Sequence, residues 1–214
     1  MSRSVRVLLV PVGLLLVAGA TIGGQRPTKR PDVTSHLSLM GFTLERSTLA
    51  DVQNKLGATA SGSCSTGEEA SKMICYVSSA PDKTRVVFES GFSGGWSTLD
   101  GFKVVSVTLA EDCRFQCLRT PAFENGIKTN GGLRLGLTRQ ELLALLGPPT
   151  KVNGSRLTFE WQSQRPMTRE EIDQETRTFN APVTNPYFDV LDTVDVRLTN
   201  SSVTEFEIRR TTTY

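Results

Sequence analysis

The four cysteines of this chain offer its clearest chemistry, because a thiol can form a cross-link or hold a metal ion. They are Cys64, Cys75, Cys113 and Cys117. An even number of cysteines in an exported protein predicts disulfides. Of the three possible connectivities, we favour Cys64–Cys75 with Cys113–Cys117, because local pairs need the least chain folding. The spacings lack the close cysteine pairs of zinc modules, so we predict no metal site.

Residues that could act in catalysis are few. The only histidine is His36, in a stretch that we interpret as a flexible leader, so no Ser-His-Asp or Cys-His arrangement is expected. Nucleophile-elbow, phosphate-loop and dinucleotide glycine motifs are missing from the sequence. The remaining enzymatic alternative is a hydrolase that uses paired carboxylates. The available carboxylates are Glu160, Asp189, Asp192 and Asp195. We predict a non-enzymatic protein without a cofactor.

The first twenty residues have the pattern of a secretory signal peptide. Arg3 and Arg6 precede an apolar run at 7–17, and the small residues 18–20 follow it. The run is too short to span a membrane. We therefore expect cleavage near Ala20 and a periplasmic or secreted protein. An uncleaved anchor and association with the outer membrane are the alternatives, although no cysteine follows the run to carry a lipid.

Charge gives no indication of a nucleic-acid partner. The formal net charge is +2, and the predicted cleavage would remove Arg3 and Arg6 but no acidic residue. The mature chain is then close to neutral, whereas nucleic-acid-binding proteins usually carry concentrated positive charge.

A ten-residue pattern occurs twice, ninety residues apart. Residues 48–57 and 138–147 both follow T-x-x-[DE]-[LV]-x-x-x-L-G. Threonine at the first position and an acid three residues later predict a capping box, and the two aliphatic residues four apart share one helical face. Glycine at the last position suits the end of a helix. The pattern predicts two short amphipathic helices.

Alternating apolar residues predict strands after each of these helices. In the first half the predicted strands are 73–79, 85–90 and 103–110, and in the second half they are 156–163, 187–199 and 203–209. Phe159 and Trp161 are assigned to the core. Two stretches fall outside the repeat: a Gly/Ser-rich loop at 91–101 and an insertion at 164–186, which could hold an extra helix from Thr168 to about Phe179.

The sequence therefore predicts an α+β fold of two tandem modules. Each module is a short helical start packed on an antiparallel sheet of about three to four strands. The predicted organisation is a signal peptide at 1–20, a flexible leader at 21–37, module 1 at 38–119 and module 2 at 120–214.

Residues 132–150 resemble the opening of a BamE/SmpA/OmlA-type module. They share a glycine-and-threonine start, a short helix and an L-G-x-P ending, here Leu146-Gly147-Pro148-Pro149. Tandem copies with a disulfide in the first copy are similar to the β-lactamase inhibitory proteins. This resemblance implies one concave surface that binds a protein partner, and it places Cys64 and Cys75 where a disulfide would hold the loop between helix and first strand.

Aromatic and polar side chains on the water-facing side of the sheet or in loops are the best candidates for partner contacts. Our binding candidates are Tyr76, Trp96, Glu160, Gln162, Tyr187 and Arg197. The predicted partner is another protein. A structural outer-membrane assembly factor is the alternative function, and a carboxylate hydrolase is the third hypothesis.

Overall fold

The structure is a computed structural model that describes residues 31–62, 71–81, 83–91, 98–106, 116–123 and 126–213. The predicted signal peptide lies outside these ranges, as do Trp96, Cys64 and Cys113. The three α-helices of the described residues are α1 (Leu49–Leu56), α2 (Arg139–Leu146) and α3 (Arg169–Phe179). The strands are β1 (Ser38–Leu39), β2 (Phe42–Thr43), β3 (Lys72–Ser78), β4 (Arg85–Ser90), β5 (Leu99–Val105), β6 (Leu118–Thr120), β7 (Lys151–Asn153), β8 (Arg156–Pro166), β9 (Tyr187–Thr199) and β10 (Ser202–Thr213).

One large sheet dominates the described residues. Its eight strands have the order β6-β3-β4-β5-β10-β9-β8-β7, and β1 and β2 form a separate two-stranded sheet. All neighbours in the large sheet are antiparallel except β3 and β6, so the sheet is mixed. The predicted fold of two helix-on-sheet modules is therefore wrong.

The pairing of β5 with β10 is the reason for the difference. Five consecutive residues of β10 face β5, from Glu205 opposite Val105 to Arg209 opposite Gly101. Had the two halves formed separate sheets, each would expose a row of unpaired backbone N–H and C=O groups at this edge. Joining the edges satisfies both rows and leaves a single sheet.

The predicted helices α1 and α2 are confirmed, with their caps. The Thr48 and Thr138 side chains accept from the backbone N–H of Asp51 and Glu141, and both acids accept in return from the threonine backbone. Their exposed carboxylates have lowered pKa values because of these hydrogen bonds. Gly57 and Gly147 end the helices at φ values of 104° and 78°, which few other residues adopt.

The apolar side chains of both helices enter one shared core. Val52 and Leu56 of α1, and Leu142 and Leu146 of α2, are buried in the same cluster as the inward residues of β3, β4, β5, β8, β9 and β10. Phe159 is buried, and the partly buried Trp161 stacks on it, as predicted. A continuous core fits the joined sheet.

Residues 31–37, which the sequence places in the leader, contribute to this core. Val33–His36 forms a 3-10 turn that starts at Asp32, and His36 is 3% exposed. The His36 Nδ1 atom lies 3.0 Å from the Thr129 hydroxyl oxygen. Burial lowers the pKa of His36 against an opposing effect of Asp32. His36 is thus an ordered core residue rather than part of a mobile segment.

Strand boundaries in the first half also differ from the prediction. β5 begins at Leu99, so the last part of the predicted 91–101 loop belongs to a strand, and the described strand ends at Val105. Residues 107–110, which were predicted to continue it, lie outside the described ranges. β4 and β9 have the predicted bounds, and β10 runs beyond its predicted end to Thr213. A hairpin turn with Asn200 and Ser201 at positive φ joins β9 to β10.

The predicted disulfide pairing is wrong. Cys75 on β3 is bonded to Cys117, with the two Cα atoms 4.5 Å apart and 42 positions between them in sequence. The parallel pairing of β6 with β3 explains this, because Leu118 lies opposite Tyr76 and so brings Cys117 beside Cys75. The preference for cysteine pairs that are close in sequence was wrong because it did not take this strand pairing into account. The predicted partners Cys64 and Cys113 lie outside the described residues.

Candidate functional site

The outward side of β5, β8, β9 and β10 carries mostly charged and polar side chains. Strand register places these residues on one face, because residues directly opposite in antiparallel strands point the same way. We call this surface the polar face. Its members on these strands include Lys103, Arg156, Thr158, Glu160, Gln162, Gln164, Tyr187, Asp189, Leu191, Thr193, Asp195, Arg197, Glu205, Glu207 and Arg209.

The polar face is ordered in rows that run across the strands. Arg156, Arg197 and Glu205 are in register on β8, β9 and β10, and we call them the arginine row. The next row along the strands has Thr158, Asp195, Glu207 and Lys103. A third row has Glu160, Thr193 and Arg209, and continues through Gly101 on β5 to Glu89 on β4. Along β10 the polar face therefore carries two acidic residues, Glu205 and Glu207, followed by the basic Arg209.

Ion pairs fix most of these charges. The Lys103 Nζ atom lies 2.7 Å from Glu205 Oε1, and the Arg209 Nε atom lies 2.5 Å from Glu207 Oε1. The Thr158 hydroxyl donates to Asp195 Oδ1 at 2.5 Å. Arg197 is held more loosely, with its Nε atom 3.5 Å from Glu205 Oε2 and its side chain 38% exposed. The face therefore combines fixed carboxylates with one partly engaged guanidinium.

Gly101 allows one of these ion pairs to cross a strand. The Arg209 Nη2 atom on β10 reaches Glu89 Oε2 on β4 at 3.1 Å, passing over β5 at Gly101. A Cβ atom at position 101 would lie 3.3 Å from Arg209 Cγ and 3.5 Å from Glu89 Oε2. Burial raises the pKa of Glu89, and a hydrogen bond from the Ser71 hydroxyl opposes this effect. Glycine in the middle of the strand thus leaves room for the bridge.

A depression of about 220 Å³ lies in the polar face beside the arginine row. Its walls are Arg156, Asp195, Val196, Arg197, Glu205, Glu207 and Arg209. Pockets for small-molecule ligands usually have volumes of about 300–1,000 Å³ and mostly apolar walls. This depression is smaller and strongly charged, so it suits a single polar side chain better than a cofactor.

The four carboxylates of the hydrolase hypothesis do not converge. Asp192 points to the core side of β9, where Arg210 binds both of its oxygens at 2.7 and 2.8 Å. Asp189 accepts from the Gln164 side chain near the far end of the sheet. Asp189 shares the polar face with Glu160 and Asp195, but six positions of β9, roughly 20 Å, separate it from Asp195. Only Glu160 and Asp195 are neighbours, at diagonal positions on β8 and β9.

Four of the six predicted binding residues point to the polar face. Glu160 and Gln162 are on β8, and Tyr187 and Arg197 mark the two ends of β9 on the same side. At about 3.3 Å per residue, Tyr187 and Arg197 are roughly 33 Å apart along the strand. Tyr187 is 45% exposed.

Tyr76 does not share this surface. It is fully buried on the core side of β3, in edge-to-face contact with Phe88 and Phe123. Its hydroxyl donates to the Gly57 carbonyl oxygen at 2.7 Å, and burial raises its pKa. The expectation that Tyr76 is a water-facing strand residue is therefore wrong.

The 164–186 insertion contains the predicted helix, confirmed as α3 with a capping box at Thr168. The Arg165 guanidinium binds both Glu171 oxygens at 2.7 and 3.0 Å and lies 4.6 Å from the centre of the Phe188 ring. This pairing lowers the pKa of Glu171 to about 2. None of the α3 residues is buried, and Phe179 at its end is 63% exposed.

The described part of the chain meets the requirements of neither a metal site nor a membrane-spanning helix. No group of three or more His, Cys, Asp or Glu side chains there could hold a metal ion. No helix among the described residues is long and apolar enough to cross a membrane.

Several members of the polar face were missed in the sequence. The members that were not among the binding candidates include Arg156, Lys103, Glu205, Glu207 and Arg209. The signal was present at 205, 207 and 209, where charged residues recur at every second position of a strand. The contribution of β5 had no such signal, because it depends on the pairing of β5 with β10.

Comparisons of the chain with protein-family models, with curated proteins and with solved structures give no match.

Proposed function

We propose that this protein is an exported, non-enzymatic binding protein that contacts a protein partner through its polar face. The observation that carries the proposal is the collection of Glu160, Gln162, Tyr187 and Arg197 on one side of β8 and β9. Their positions on paired strands hold them in place before a partner arrives, which lowers the entropic cost of association. A relation to the BamE/SmpA/OmlA-type modules is part of the proposal and rests on residues 132–150 alone.

Two further features support the proposal. The Cys75–Cys117 disulfide suits an oxidising compartment outside the cytoplasm. The exposed Tyr187 ring offers a rigid anchor at one end of the polar face, and tyrosine is enriched among the residues that dominate binding energy.

The test is affinity capture by the purified, disulfide-bonded full chain from envelope extract or culture supernatant of its own source organism. Three baits are compared: the wild type, Tyr187→Ser with Glu160→Lys, and the matched control Arg139→Glu on α2. We expect one protein to bind the wild type and the control and to be lost from the polar-face variant. Titration calorimetry with that purified protein should give at least a tenfold weaker affinity for the variant, about 1.4 kcal/mol.

Two results would contradict the proposal. One is capture of no protein by any bait. The other is equal capture by the wild type and the polar-face variant, provided that circular dichroism shows both to be folded.

A further inference from the structure

We infer that Arg156 and Arg197 form a receiving site for an acidic side chain of the protein partner. This inference rests on the proposed function and names the chemistry of its partner. The two residues are directly paired on β8 and β9, and both line the depression of about 220 Å³. The only acid in register with them on β10 is Glu205.

The first argument comes from Arg156. Like charges directly opposite each other on neighbouring strands destabilise a sheet. Arg156 is exposed and forms no ion pair with any described residue, whereas Lys103, Arg197 and Arg209 on the same face each have a carboxylate within 4 Å. An arginine without an ion pair, placed opposite another arginine, is expected where an anion from a binding partner contacts both side chains.

The second argument comes from Arg197. Its ion-pair partner Glu205 is bound more closely by Lys103, at 2.7 Å and through the other carboxylate oxygen. Arg197 can therefore turn toward an incoming carboxylate while Glu205 stays neutralised. The Arg197 side chain is 38% exposed, so the movement requires no opening of the core.

The third argument concerns the occupant. Guanidinium groups bind carboxylates through paired, charge-assisted hydrogen bonds, and two arginines side by side offer donors to both oxygens. Of the three carboxylates in the walls, Glu205 is paired with Lys103 and Glu207 with Arg209. Asp195 keeps its charge, and its Oδ1 atom accepts from the Thr158 hydroxyl. The depression admits a side chain, which favours an aspartate or glutamate presented by a partner's loop.

The test is a nuclear magnetic resonance titration of the ¹⁵N-labelled, disulfide-bonded full chain, observed at the arginine Nε–H signals. The probes are N-acetyl-aspartate N-methylamide, the matching asparagine compound and inorganic phosphate, all at equal ionic strength. We expect the aspartate compound alone to cause saturable shifts at Arg156 and Arg197. In Arg156→Gln its binding should weaken at least about tenfold. The control Arg139→Gln should match the wild type.

Three results would overturn the inference. They are equal shifts with the asparagine compound, equal binding by Arg156→Gln and the wild type, and phosphate binding as tight as that of the aspartate compound. The last result would make the pair a general anion site. Aspartate binding without any captured partner would refute only the proposed function. A partner that depends on Tyr187 and Glu160, with no aspartate binding, would refute only this inference.

Discussion

The two faces of the sheet carry the same kind of ion pair in different surroundings. On the core face, Asp192 is 3% exposed and binds Arg210 through two hydrogen bonds, and Arg210 also lies 3.5 Å from Glu45. On the polar face, Arg197 is 38% exposed and lies 3.5 Å from Glu205. The first pair joins the loop before α1 to β9 and β10, whereas the second leaves its arginine free to move. The buried ion pair therefore holds the fold together, whereas the arginine of the exposed pair can change its partner.

The largest effect is expected from breaking the core-face pair. Arg210→Met leaves the buried Asp192 carboxylate without its partner, so the free energy of unfolding should fall by about 3–5 kcal/mol. Urea unfolding of the oxidised protein measures the change. Adding Asp192→Leu to the same chain should restore much of the loss, because it removes the isolated charge. A loss below about 1 kcal/mol in the single variant would contradict the structural role.

A smaller effect is expected at the end of α1. Tyr76→Phe removes the hydroxyl that donates to the Gly57 carbonyl oxygen and leaves that acceptor unpaired, so stability should fall by about 1–2 kcal/mol. Tyr187→Phe on the polar face is the matched control and should leave the unfolding midpoint unchanged. Equal losses in the two variants would mean that burial does not distinguish the faces.

The core face should also respond to pH through His36. Burial lowers its pKa in the folded protein, so the unfolded chain binds the proton more readily. Stability should therefore be highest above about pH 6.5, the pKa in the unfolded chain, and decrease as pH falls toward the folded-state value. Urea unfolding between pH 5.5 and 7.5 measures this. His36→Gln should remove this loss of stability on acidification, because the chain has no other histidine. The raised pKa of Glu89 acts in the opposite direction and so does not explain the loss.

The smallest effects on stability are expected on the polar face. Arg197→Gln should lower the free energy of unfolding by less than about 1 kcal/mol, because exposed ion pairs contribute little. Arg156→Gln should be neutral or slightly stabilising, since it relieves the repulsion between opposed arginines. Both are measured by urea unfolding. A loss of 2 kcal/mol or more in either variant would show that the arginine row is structural.

The local features of the fold were predictable because their causes are local. The capping boxes at Thr48, Thr138 and Thr168, the glycines that end α1 and α2, and the alternating strand β9 follow from residues within a few positions. The arrangement of the sheet was not predictable in this way. It depends on which edge β10 joins, and repeats in sequence do not determine that choice.

The same distinction applies to the candidate site. Residues of a single strand were grouped correctly, because alternation alone places Glu160 and Gln162 of β8 on one face. Tyr76 was misplaced because the segment around it has apolar residues on both faces: Ile74, Cys75 and Tyr76 are consecutive and buried. In such a strand, the pattern of apolar and polar residues does not show which side chains face the core. The Cys75–Cys117 bond was missed for a related reason, since it follows from a parallel pairing of distant segments.

The pairing of β5 with β10 has a consequence for the timing of folding. Glu205 and Val105 face each other across this pair although one hundred positions separate them. At a synthesis rate of about 5–20 residues per second, the ribosome needs about 5–20 s to make the intervening chain. The edge of β5 has no partner during that interval, and contacts between such distant segments form slowly. Completion of the sheet therefore follows translation, which leaves the nascent chain in need of protection from aggregation.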